Sequence, residues 1–233
     1  MDKRLQIFIA AGILALFAIA GTSLVAFTHL ATKARIEANE RETLLRNLSA
    51  LVPPESVDND MVTDTLEVSE PEQLGAPTTT VYRGRKQGDP VAAVLTTRVP
   101  NGYSGPIKLL VAVRYDGTLG GVRVISHKET PGLGDKVEES RTDWIYGFTG
   151  KSLGNPPIEK WKVKRDGGVF DQFTGATITP RSIVTAVRKT LIYVKDHRDA
   201  LYDQQAAIQP LTSQPSTRMK GRQAPNTGAN PHG

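Results

Sequence analysis

Residues Ile107–Ser126, IKLLVAVRYDGTLGGVRVIS, decide the fold. Two runs rich in branched aliphatic residues, Ile107–Tyr115 and Gly121–Ser126, flank Asp116-Gly117-Thr118-Leu119-Gly120, and this order reads as a β-hairpin. Just upstream, Val81–Lys86 and Val91–Val99 flank Gln87-Gly88-Asp89-Pro90, a strong turn signal. Downstream, residues 135–149 read as a helix with Val137, Trp144, Ile145 and Phe148 as its apolar positions, and Lys160–Lys164 (KWKVK) as a short strand. Ile178–Asp203 reads as a long helix, with Thr179 as N-cap and Pro180 in the first helical position. Ile183, Val184, Val187, Leu191 and Val194 share one face of it. The expected fold class is α+β, a domain of antiparallel strands and helices over residues 81–203.

Toward the N-terminus the signal changes. Leu5–Thr28 (LQIFIAAGILALFAIAGTSLVAFT) holds no charge over 24 residues. As a helix it covers roughly 36 Å, enough to cross a hydrocarbon core of about 30 Å. Ala18-Ile19-Ala20 has the small-x-small form of a signal cleavage site, but the apolar run continues through Phe27, which favours a retained anchor. The chain therefore divides into an N-terminal segment 1–4, a transmembrane helix 5–30 and a juxtamembrane helix 31–51. The last carries Glu37–Arg41 and Glu42–Arg46 at helical spacing and stops at Pro53-Pro54. Residues 52–80 form an acidic linker with short strands, and 204–233 a disordered tail rich in Gln, Pro, Thr and Gly. Lys3 and Arg4 precede the span, whereas Lys33, Arg35, Arg41 and Arg46 follow it, so charge alone leaves the orientation open.

Composition narrows the function classes. The chain has 233 residues, a formal net charge of +5 and no cysteine. The missing cysteines exclude disulfides, Cys-ligated iron–sulfur clusters and thiol catalysis. His29, His127, His197 and His232 form no ligand pair, so no metal site is assigned. The basic residues are scattered, Asn47–Tyr82 contains no Lys or Arg, and aromatics make up 6%, which argues against a nucleic-acid partner.

Chemistry concentrates in Asp171-Gln172-Phe173-Thr174-Gly175-Ala176-Thr177. Two hydroxyl residues bracket Gly175 and Ala176, the two smallest side chains, so a bulky group can approach the backbone. The stretch opens onto a helix start, where unpaired N–H groups and the helix dipole favour an anion such as a phosphate. The competing reading is that these hydroxyls only cap the helix.

This segment resembles the D-x-x-[ST]-G-A-[ST] signature of FMN-binding domains that carry flavin on the last hydroxyl residue. Gly102-Tyr103-Ser104-Gly105, Ile107–Val113, His127-Lys128-Glu129-Thr130-Pro131-Gly132-Leu133-Gly134-Asp135-Lys136, Trp144 and Val163-Lys164-Arg165-Asp166-Gly167-Gly168 extend the likeness. Together they resemble the G-type flavoprotein of the Rnf (Rsx) ion-translocating electron-transport complex over roughly residues 80–200. The resemblance implies one FMN per chain, joined through its phosphate to Thr177 by a flavin transferase that uses FAD. It implies a single-pass protein of the bacterial inner membrane with segment 1–4 in the cytoplasm and a periplasmic domain. Its partners are the other subunits of a complex that couples electron transfer between NADH and ferredoxin to ion transport. Asp171 belongs to the attachment signature. Thr174, Gly175 and Ala176 are implied to contact the cofactor, as is the loop of Glu129, Thr130, Gly132, Leu133 and Gly134, with Leu133 packing on the ring.

No catalytic residue is assigned. His127 reads as structural and Lys164 as a surface lysine. The rival functions are the C-type flavoprotein of a sodium-pumping NADH:quinone reductase and a membrane-anchored scaffold with no cofactor. A hydrolase using Thr177 as nucleophile lacks an identifiable base.

Overall fold

Ile107–Arg114 is apolar at nearly every position because both faces of its strand are covered. Leu109, Val111 and Val113 enter the main core, whereas Leu110 and Ala112 enter a second, smaller one. The structure, a computed structural model, describes residues 3–203. The tail at 204–233 and the first two residues lie outside the described residues.

The chain opens with α1, Lys3–Leu51, one uninterrupted helix through the apolar span and the polar segment after it. The large apolar residues of the span face outward, as a helix that crosses a lipid bilayer requires. Leu48 and Leu51, in its last turn, are buried against the domain. Then follow β1 (Thr65–Val68), α2 (Pro71–Leu74), β2 (Thr79–Lys86), β3 (Asp89–Val99), β4 (Ile107–Arg114) and β5 (Leu119–Ser126). They form a five-stranded antiparallel sheet in sequential order. The sheet thus begins at Thr65, inside the acidic region 52–80. There Asp64 accepts from the buried Arg83 Nε (2.7 Å) and Arg85 Nε (3.0 Å). These arginines also donate to the carbonyls of Asp203 and Tyr202, which ties the end of the domain to β2.

α3 (Ile178–Asp196) lies across one face of the sheet and buries Ile183, Val184, Val187, Leu191 and Val194, the face the sequence predicts. Thr97 and Thr190 hydrogen-bond within this interface, so two buried hydroxyls satisfy each other. The second face is covered by the end of α1 and by Val52, Val57, Met61 and Val62. The architecture is α+β, as expected.

Three local expectations are corrected. Residues 135–149 form two 3₁₀ turns, Gly134–Val137 and Asp143–Phe148, rather than one helix. Thr142 separates them: its hydroxyl donates to Lys136 O (2.6 Å) and accepts from Trp144 N (3.3 Å), side-chain bonds that compete with the helical ladder. Lys160–Lys164 is not a strand. It buries Trp161 and Val163 alternately, but among the described residues its only ladder contact is one bridge from Val163 to Phe170. The last helix breaks at His197, and α4 (Arg198–Tyr202) follows.

Candidate functional site

β3 ends, β4 begins and β5 ends at one edge of the sheet, because Val99 pairs with Ile107 and Lys108 with Ser126. α3 also starts there: Ser182 Oγ donates to Asn101 O (2.8 Å). Four segments converge on this edge. They enclose a cavity of about 370 Å³, within the ~300–1,000 Å³ usual for small-molecule sites. Tyr103, Glu129, Thr130, Leu133, Gly134, Arg165, Gly175, Ala176, Thr177, Ile178 and Thr179 line it. Three larger hollows, about 590 Å³ beside Thr80, Arg98 and Lys108 and about 470 and 490 Å³ on either side of Tyr115 and Arg198, collect none of the motif residues.

The Asp171–Thr177 segment makes a tight turn. Ala176 N–H donates to Phe173 O (3.1 Å), and Gly175 takes φ +83°, a conformation that favours glycine. Trp144 anchors the turn from below, its Nε1 donating to Asp171 O (2.8 Å) and its ring meeting Phe173 edge-on at 5.3 Å.

Thr177, not Thr179, occupies the cap position of α3, and Pro180 is the third helical residue. Thr177 lines the cavity and, among the described residues, its hydroxyl makes no capping bond, so the reading that it merely caps the helix fails. The N–H groups of Ile178 and Thr179, in the first turn, have no intrahelical acceptor and present partial positive charge. Thr179 instead turns inward, its hydroxyl donating to Glu129 Oε2 at 2.5 Å.

The loop after β5 makes the opposite wall. Leu133 and Gly134 N–H groups both point to Thr130 O (3.1 Å each), and Gly132 sits at φ +78°. Glu129 is buried and accepts from Ser104 N at 3.0 Å as well as from Thr179. His127 Nδ1 accepts Glu129 N–H (3.0 Å), which leaves Nε2 as donor to Glu138 Oε1 (2.5 Å). That bond holds the Glu138 carboxyl below its usual value, with smaller help from Ser140 and Arg141.

Of the residues singled out by sequence, Glu129, Thr130, Leu133, Gly134, Gly175, Ala176 and Thr177 meet in this cavity. Thr174, Gly132 and Asp171 do not line it. Asp171 faces solvent and pairs with Lys164 (2.5 Å). Sequence reading did not single out Tyr103, Arg165, Ile178 or Thr179 as site residues. Arg165 is aimed by its neighbour: Asp166 accepts a bidentate pair from Arg181 (2.6 and 2.8 Å), which fixes the Lys164–Asp166 turn against α3. The Arg165 guanidinium makes no ion pair among the described residues. A cation, open helix N–H groups, a threonine hydroxyl and the exposed apolar surfaces of Tyr103, Leu133 and Ile178 fit a phosphate-bearing aromatic group.

Comparison with known proteins agrees with this geometry. Residues 102–192 match the family described as FMN-binding domain, and residues 1–51 match the RnfG N-terminal region. A protein of Pseudoalteromonas atlantica, named as the G-type member of an ion-translocating oxidoreductase complex, is 47% identical over 191 residues, covering 82% of this chain and 89% of that protein. Proteins of the same name from Pseudomonas aeruginosa (48% over 191 residues; 81% and 89%) and Vibrio cholerae (42% over 192 residues; 82% and 92%) are similar along the same length.

Proposed function

Because the chain belongs to the RnfG family of ion-translocating oxidoreductase complexes, we propose that it carries one FMN bonded through its phosphate to Thr177 and relays electrons within a membrane complex. The observation that carries this reading is Thr177, which lines the cavity at the start of α3 with no capping bond from its hydroxyl among the described residues. Attachment is a phosphoryl transfer. The Thr177 oxygen bonds to the flavin-side phosphorus of FAD, the pyrophosphate bond breaks, AMP leaves, and the hydroxyl proton passes to the flavin transferase or solvent. The resulting phosphodiester keeps one negative charge. The open N–H groups of α3 and the Arg165 side chain, which line the same cavity, would balance that charge.

Tyr103, Leu133 and Ile178 supply apolar surface for the ring, and Thr130, Gly134, Gly175 and Ala176 complete the walls. Thr174 and Gly132 shape the turns beside them, and Asp171 serves recognition by the transferase from its exposed position. Bound flavin supplies one- and two-electron chemistry that no side chain of this cysteine-free protein supplies. A covalent link suits a cavity that opens to solvent, because it prevents loss of the cofactor.

α1 anchors the domain: residues 5–30 cross the bilayer, and 31–51 carry the helix to the sheet. Residues 81–203 contain the FMN-binding unit. We place the domain on the periplasmic side of the inner membrane, among the other members of a complex that couples NADH and ferredoxin chemistry to ion transport. In-gel flavin fluorescence tests the reading. The full chain made with flavin transferase should fluoresce after denaturation, and Thr177→Ala should not. A dark wild-type band would favour a cofactor-free scaffold.

A further inference from the structure

We propose that Glu129 is a positioning residue for flavin attachment: its buried carboxylate ties three chain segments together and so fixes where Thr177 presents its hydroxyl. The proposal rests on the reading of Thr177 as the attachment residue. Glu129 is 5% exposed. Oε1 accepts Ser104 N–H from the loop between β3 and β4, and Oε2 accepts the Thr179 hydroxyl from the first turn of α3. Its own N–H is held by His127 Nδ1, which ties in the loop after β5.

The seat is shaped to the carboxylate. A Cβ on Gly102 would stand 2.7 Å from Oε1, and one on Gly134 would stand 2.6 Å from Oε2. Backbone from two different loops therefore closes on the carboxylate at distances that only glycine permits. Thr179 lies two residues after Thr177 on the same helical turn, so the Thr179–Glu129 bond sets the rotation and height of the helix start. Both oxygens are already engaged, Oε1 by Ser104 N–H and Oε2 by the Thr179 hydroxyl. Glu129 therefore acts on attachment through Thr179 and Ser104, not by direct contact with the incoming phosphoryl group.

Position matters here because a misplacement of about 1 Å in a group-transfer geometry can cost about a hundredfold in rate. Three substitutions test the strut. In Glu129→Gln the amide oxygen can still accept Ser104 N–H, and the amide nitrogen can donate to Thr179 Oγ1, so both bonds survive without the carboxylate. Glu129→Ala removes both, and Thr179→Val removes one at nearly constant volume.

The test uses the full chain purified without flavin, then incubated with purified flavin transferase and FAD, with FMN gain read by intact mass. Glu129→Ala should attach flavin at least about tenfold more slowly, with kcat lowered and KM for the chain unchanged, and Glu129→Gln should stay within about threefold of wild type. Thr179→Val should fall between them, and it decides the matter alone if thermal melting shows Glu129→Ala unfolded. Wild-type rates in folded Glu129→Ala or in Thr179→Val overturn the proposal, as does Glu129→Gln being as slow as Glu129→Ala. A wild-type chain that gains no FMN overturns the Thr177 reading first, and this proposal with it.

Discussion

Leu133 lies over Gly175: a Cβ built on the glycine would stand 3.4 Å from Leu133 Cδ2, while the glycine holds φ +83°. This contact joins the loop after β5 to the attachment motif, two segments more than 40 residues apart in the sequence. The glycine serves a backbone conformation first and a close approach second.

Gly175→Ala should therefore destabilise the domain by about 1 kcal/mol, the cost of a left-handed non-glycine residue. Flavin content should fall as well, because the turn that presents Thr177 is disturbed. Urea unfolding, read with flavin absorbance on the same samples, checks both.

Thr177→Ala should leave stability within about 0.5 kcal/mol of wild type, because among the described residues the hydroxyl makes no capping bond. A thermal melt that shows a large loss would mean the threonine has a structural role after all.

Trp144→Phe keeps an aromatic ring beside Phe148 and Phe173 but deletes the bond from Nε1 to Asp171 O. A loss of about 1 kcal/mol is expected, the typical worth of one such bond. Amide hydrogen exchange should rise across 171–177 and remain at wild-type levels in β3 and β4.

These residues also show how far the sequence could be read. The hairpin at 107–126 was legible because strand runs and a glycine turn report on the backbone directly. The buried face of α3 was legible from its spacing. Residues 135–149 were not, since Thr142 diverts the backbone through side-chain bonds that no periodicity records. KWKVK has the alternation of a strand without a neighbouring strand to pair with. Thr177 stood out through its motif, but that its hydroxyl makes no capping bond depends on where the helix starts, one residue before the predicted cap. Arg165 and Tyr103 enter the cavity through loop paths fixed by distant partners, among them Asp166 with Arg181.

Leu51 gives a prediction away from the cavity. It is buried in the core on the second face of the sheet, and Gly120 and Gly121 leave room for it: a Cβ at either would come within 2.9 Å of Leu51 atoms. Leu51→Ala should cost about 2 kcal/mol and speed proteolysis between residues 52 and 64. Flavin attachment should persist, because the cavity lies at the other end of β5.

The Glu138–His127 bond predicts a pH dependence. The lowered carboxyl of Glu138 contributes stability in full above the ordinary glutamate value of about 4.3, and loses it as pH falls through the lower folded value. Glu138→Gln should flatten that acid limb in pH-resolved melts and leave neutral pH little changed, since the group is partly exposed.

The most direct measurement is the mass of the proteolytic peptide that contains Thr177, taken from chain matured with flavin transferase. The account predicts a gain of FMN less one water, localised by fragmentation to Thr177. An unmodified peptide from such material, or the added mass on Thr174 instead, would contradict it.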